Sequence, residues 1–331
     1  MNATEHEQLL AHAERSIALG SKSFAAAARL FDPATRRSAV LLYAWCRHCD
    51  DVIDGQQAGH DAVPLAPELA RRRLLELQAE TDAACHGAQV SQPAFAALRE
   101  VARLHRIPTH EPFDLLAGFA QDVAGQRYRS LEDTLGYCYH VAGVVGLMMA
   151  RVMGVREPAV LDRACDLGLA MQLTNIARDI VDDAKVGRCY LPTHWLEELG
   201  IPSRGLADAQ HRQALALLAQ RLVDHAEAYY ASAQAGLAAL PWRSAWAVAT
   251  AAVVYRQIGM KVRRAGTRAW DGRLSTSKLE KLAAVLTGLC RTLTRRWRRY
   301  PARDPQLWQR PHSVLAAGHH DAPAVAPASG R

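Results

Sequence analysis

Two acidic stripes hold most of the chemistry this sequence offers. Asp50 and Asp54 stand four residues apart, and Gln172, Asn175, Asp179 and Asp183 follow one another at intervals of three, four and four. A helix turns about 100° per residue, so each set projects from one helix face. Like charges at that spacing cost a few tenths of a kcal/mol, and aspartate is a poor helix former, so something must offset both. Donors made only of oxygen select hard cations, and carboxylates that leave water in place suit Mg²⁺ bridging to phosphate. The second stripe runs beside Leu173, Ile176 and Ile180, where four oxygen-bearing side chains are costly to bury unless they bind something. Two such stripes would face one another across a helical bundle.

Arginines accompany both stripes. Arg47 lies three residues before Asp50, Arg178 immediately precedes Asp179, and Arg188 and Tyr190 follow in a loop. Each alone reads as a surface ion pair. Together, with a planar fork that matches the oxygens a cation leaves unneutralised, they describe a diphosphate site. Between the stripes runs Tyr137-Cys-Tyr-His-Val-Ala-Gly-Val-Val-Gly-Leu-Met-Met-Ala150. Gly143 and Gly146 each cost about 1 kcal/mol in a helix interior, which either close helix packing or close approach of a ligand would justify. The apolar side chains around them, Val141 and Ala142 included, would wall a hydrocarbon pocket.

Helices must hold these residues. Asp32-Pro33 opens one that carries Val40, Leu41, Ala44 and Trp45 at helical spacing and ends at Asp54-Gly55. Thr4 with Glu7, and Ser130 with Asp133, carry helix-start signatures, and Pro67, Pro93 and Pro112 mark further starts. Residues 131–153 are apolar almost all round, as a core helix should be, and helical patterns continue over about 159–183, 207–237, 243–264 and 277–299. No glycine/serine linker or fixed repeat divides the chain. The expectation is an all-α, single-domain helical bundle with a central apolar cavity over residues 1–303, then a disordered tail over 304–331.

Composition narrows the classes. Half of the 331 residues are hydrophobic and 22% are charged, which excludes a disordered chain, and 6% aromatic content without alternating stretches argues against a sandwich or barrel. Seven scattered cysteines suit a reducing compartment. Cys46 and Cys49 lack the second pair that a structural zinc site needs. The N-terminus shows no secretory pattern, and the apolar stretches 141–150 and 246–255 are too short to span a bilayer, so a cytoplasmic protein is expected. The net charge of +7 suits nucleic acid, an anionic membrane or a polyanionic substrate. Much of it falls in the basic run 291–303, where Trp297 among arginines suits peripheral contact with an anionic membrane, on its inner face; a solvated helix end is the plainer reading. Acidic stripes facing a cavity are not what a nucleic-acid binder needs, and no nucleic-acid partner is expected.

The ordered set Gly20-Ser-Lys-Ser-Phe24, Tyr43-Ala-Trp-Cys-Arg-His-Cys-Asp-Asp-Val-Ile-Asp54, Tyr137-Cys-Tyr-His-Val-Ala-Gly143, Gln172-Leu-Thr-Asn-Ile-Ala-Arg-Asp-Ile-Val-Asp-Asp183 and Gly187-Arg-Cys-Tyr-Leu-Pro192 resembles the squalene/phytoene synthase family. The resemblance is to its bacterial, phytoene-forming members. It implies an all-α isoprenoid-synthase fold and a Mg²⁺-dependent transferase. That enzyme would join two geranylgeranyl diphosphates head to head (1′-1), through prephytoene diphosphate, to phytoene with release of diphosphate, at the entry to carotenoid biosynthesis. By the same resemblance Asp50, Asp54, Asp179 and Asp183, with Asn175, would hold the metal, with Mn²⁺ as a substitute. Gln172, Arg47, Arg178, Arg188, Tyr190 and the Ser21-Lys22-Ser23 turn would position diphosphate or the reactive end of the substrate. Tyr137, Tyr43 and Phe24 would offer π faces to a carbocation. Small residues at 25–28 and at Val40 suggest room for twenty-carbon tails. No glycine-rich dinucleotide fingerprint follows a strand, so NADPH is not expected. The alternatives are a squalene or dehydrosqualene synthase acting on farnesyl diphosphate, and a chain-elongating prenyltransferase sharing the Asp50-Asp-Val-Ile-Asp54 pattern.

Overall fold

Caps and prolines set where the helices begin and end. The computed structural model describes residues 3–20, 22–56, 65–90, 92–202 and 205–311. Among them run α1 (Ala3–Gly20), α2 (Lys22–Ala28), α3 (Pro33–Asp54), α4 (Pro67–Cys85), α5 (Pro93–His105) and α6 (His110–Val123). These are followed by α7 (Leu131–Cys138), α8 (Val144–Val152), α9 (Pro158–Lys185), α10 (Thr193–Glu198), α11 (Arg212–Gly236), α12 (Trp242–Ala265) and α13 (Lys278–Thr294), and no strand occurs among the described residues. Asp32 caps α3, its Oδ1 accepting the N–H groups of Ala34 and Thr35 at 3.1 and 3.0 Å, with Pro33 in the first position. Gly55 ends it at φ 62°, a left-handed conformation glycine adopts without steric cost. Ser130 and Asp133 form the capping box of α7, and Ser277 and Glu280 that of α13.

The 28-residue α9, about 42 Å long, is the axis of the bundle and packs against α8, α11 and α12. A π-turn, Tyr139–Gly143, joins α7 to α8 without a break, the Val144 N–H bonding to the Tyr139 carbonyl. The merged helix Leu131–Val152 has a mean hydropathy of 1.3 and passes the length and composition test for a membrane span, yet it lies against α9 within the bundle. Its glycines explain how closely. A Cβ on Gly143 would come within 2.8 Å of Leu169 Cδ1, and one on Gly146 within 2.5 Å of the Ala164 carbonyl oxygen. Close helix packing, rather than ligand approach, therefore accounts for both.

Several expectations are corrected. Thr4 lies within α1 rather than ahead of it, and its side chain is outside the described residues. Pro112 is the third residue of α6, where its missing N–H costs nothing. The arginine-rich run is not helical to 299: α13 stops at Thr294, and buried Arg295 folds back to donate to the Thr292 carbonyl at 2.6 Å. Nor is the chain disordered from 304. Arg303 grips the fully buried Asp166 through two bonds of 2.9 and 2.7 Å, and Arg310 grips Asp162 at 2.6 Å. The Trp308 N–H donates to the Tyr229 hydroxyl at 3.2 Å, so residues 304–311 strap α9 and α11; the rest of the expected tail, 312–331, lies outside the described residues. Buried carboxylates on α9 require cationic partners, and this strap supplies them.

Candidate active site

The C-terminal turns of α3 and α9 carry the two aspartate pairs, and the loop that follows α9 closes the gap between them. Arg188, held in that loop after the left-handed Gly187 (φ 81°), pairs with Asp54 at 2.5 Å. Its positive charge also acts on Asp183 and on Asp122 of α6. One guanidinium thus ties three helices together. Arg47 donates to Asp50 at 2.5 Å and through Nε to the Tyr43 hydroxyl oxygen at 3.3 Å, while Arg178 holds both oxygens of its neighbour Asp179. Each arginine singled out from the sequence is paired with an aspartate of the stripes.

Electrostatics mark the aspartates as a site under tension. Burial, then the adjacent Asp54 charge, push the Asp50 carboxyl up to about 7. Burial and then Asp179 raise that of Asp183 well above the usual carboxylate range. The Asn175 amide donates to Gln172 Oε1 at 3.2 Å, but its own carbonyl oxygen is buried without a hydrogen-bond partner. Crowded carboxylates and an orphaned amide oxygen on one face are what a hard cation would satisfy, so the residues present fit Mg²⁺. Among the described residues no three His, Cys, Asp or Glu side chains converge closely enough to hold a cation unaided. Oxygens of a bound diphosphate would have to complete the coordination.

Asp122 is the residue the sequence reading missed. It accepts from the Tyr190 hydroxyl at 2.9 Å and from the Tyr137 hydroxyl at 3.1 Å, and these two rings stack at 4.5 Å. Burial pushes its carboxyl up to about 6 against the pull of Arg188 and the phenols. The available signal was a carboxylate in the last turn of a helix whose buried face carries Leu115, Leu116 and Phe119. A cavity of about 490 Å³ opens here, lined by Gln121, Asp122, Arg127, Arg188, Tyr190 and Leu206 among others.

The remaining candidates divide. Phe24 stacks on Tyr43 at 5.3 Å, and Gly20 lies so near that a Cβ there would stand 2.5 Å from the Tyr43 hydroxyl and 3.2 Å from Arg47 Nε, so the α1 terminus joins this edge. Ser21 and the side chains of Lys22 and Ser23 lie outside the described residues. Val141 packs on Gly118, and the backbone of Ala142 presses on Gly168 of α9, so the contacts of these two are helix packing rather than polar grip. The apolar interior is represented by half-buried Val141, Val145, Met149 and Met171 packed against the main core, while Ala28 and Val40 are buried within it.

Comparison with known proteins follows the same outline. The family model for squalene/phytoene synthase matches residues 17–280. A 15-cis-phytoene synthase of Pantoea ananas is 58% identical over 303 residues, covering 92% of this chain and 98% of that protein. One from a Paracoccus species is 51% identical over 297 residues, covering 90% and 96%. Among solved structures, a dehydrosqualene synthase in complex with ligand superposes with a TM-score of 0.77 at 28% identity, covering 86% of this chain and 96% of that one.

Proposed function

The chain belongs to the squalene/phytoene synthase family, and from that membership we propose that it is the prenyltransferase that condenses two molecules of geranylgeranyl diphosphate head to head into phytoene. The observation that carries the reading is identity of more than half the residues, over nearly the whole chain, with proteins named for that reaction. The overall conversion releases two diphosphates and removes two protons from carbon, and it needs no reductant, so NADPH has no role in it.

Asp50, Asp54, Asp179 and Asp183, with the Asn175 carbonyl oxygen, are the residues that would hold Mg²⁺, or Mn²⁺ in its place. When bound, the metal supplies Lewis-acid neutralisation of the departing diphosphate. The chain's own groups do the rest. Arg47, Arg178 and Arg188, whose forks pair with aspartates of the two stripes, would bind the phosphate oxygens that a metal leaves unneutralised. Gln172 orients Asn175. Asp122 aligns Tyr137 and Tyr190, whose stacked rings form a wall beside Arg188. Tyr43 and Phe24 cover the α3 side. An allylic cation formed between such aromatic walls is stabilised by their π faces and kept from water, which would quench it to an alcohol.

The test is incubation of purified protein with labelled geranylgeranyl or farnesyl diphosphate, with and without Mg²⁺ and NADPH, followed by hydrocarbon analysis. Phytoene is expected from the twenty-carbon substrate with Mg²⁺ alone. A thirty-carbon product made in preference would transfer the chain to the dehydrosqualene reading that the structural similarity also supports. Absence of hydrocarbon in every condition, or simple chain extension with isopentenyl diphosphate, would overturn the assignment. Asp54→Asn and Asp183→Asn should each abolish turnover and leave the helical circular dichroism unchanged.

A further inference from the structure

The inward face of α13 is settled. Ala284, Gly288 and Thr292 are buried at four-residue intervals, and a Cβ on Gly288 would come within 2.9 Å of the Thr250 nitrogen of α12. Among the described residues nothing covers the outward face. Leu279, Leu282, Leu286 and Leu293 are 58–79% exposed, and Trp297, in the turn that follows, is 83% exposed. At 100° per residue the four leucines fall within one arc of about 60°, centred about 150° from the buried set, and Trp297 follows in the turn beyond. Isolated exposed leucines need no explanation, but four on one helix face, continued by an exposed indole, do.

Charge decides what the stripe fits. From 281 to 303 the chain has no acidic residue, and Arg296, Arg298 and Arg299 are exposed around Trp297. Lys278 is exposed at the other end, and Glu280, the sole acid of α13, is already bound to Lys261 at 2.7 Å. A second copy of this chain meeting the same face would bring these arginines against their own kind. Nucleic acid would answer the arginines and leave the leucines in water. An anionic bilayer answers both: apolar side chains enter the acyl boundary, the indole sits at the headgroups, and the arginines meet lipid phosphate.

We propose that the outer face of α13 with the Arg296–Arg299 turn docks this protein on anionic lipid membranes. The surface is argued independently of the reaction, so it stands or falls separately from the assignment of phytoene formation. The experiment is flotation of the full chain with phosphatidylcholine vesicles with or without about 30% phosphatidylglycerol, at about 0.05 and 0.5 M salt. Native protein should float with the anionic vesicles and be released by salt. Replacing Arg296, Arg298 and Arg299 together with Gln should lower partitioning about a hundredfold. Leu286→Glu and Trp297→Ala should each weaken it at least tenfold. All are exposed positions outside the active site, so turnover of detergent-dispersed substrate should match the native protein and certify folding. Failure of the native protein to float on anionic vesicles would overturn the proposal. So would a dimer in light scattering that Leu286→Glu converts to monomer, which would give the face to a second copy.

Discussion

Asp122 shows how one buried carboxylate shapes both stability and chemistry. Two phenols and an arginine surround it, yet burial holds its carboxyl up at about 6. The folded state therefore keeps a proton that the unfolded chain releases near pH 4. That proton favours the folded state below about pH 4, and the advantage is lost as pH rises through 6. Asp122→Asn removes the titration, so its urea midpoint should fall less between pH 5 and pH 7.5 than that of the native protein. Its turnover should drop about ten- to a hundredfold, because Tyr137 and Tyr190 lose the charged acceptor that aligns them. Loss of stability without loss of turnover would remove Asp122 from the site.

At the scale of elements, the crossing of the π-turn and α8 over α9 positions the second aspartate pair. Gly168 lies on α9 beneath the Ala142 carbonyl, and a Cβ there would collide with Ala142 backbone atoms that cannot rotate away. Gly168→Ala should therefore lower stability by about 1–3 kcal/mol in urea denaturation, despite the gain in helix propensity. Gly136 in α7 faces open space, and Gly136→Ala should instead raise stability by about 0.4–1 kcal/mol. If the two variants behaved alike, propensity rather than the crossing would govern this region.

At the scale of the molecule, the strap over residues 303–311 closes the bundle from outside. Asp166 is fully buried and accepts from Ser232 and from Nε and Nη2 of Arg303. Arg303→Ala leaves that carboxylate without its counter-charge and should cost about 3–5 kcal/mol, read as a lowered Tm. Trp308 also lies against Tyr139 of the π-turn, 5.5 Å between rings, so the strap touches the element beside the site as well.

Helix content, the aspartate stripes and their arginines were legible in the sequence because spacing along a helix dictates which side chains share a face. The starts at Pro33, Pro67 and Pro93 were legible for the same local reason: capping and φ restriction act within a few residues. What lies far apart in sequence was not. That Arg188 bridges to Asp54, 134 residues away, and that Asp122 joins Tyr137 to Tyr190 depends on how three helices cross. The strap was misread as disorder because its composition is unremarkable until Asp166 and Asp162 are seen buried and in need of cations. The sequence by itself determined which groups could meet a metal and a diphosphate. Only the tertiary structure decided which of them do meet, because burial and long-range contact, not spacing, set the charge balance of the site.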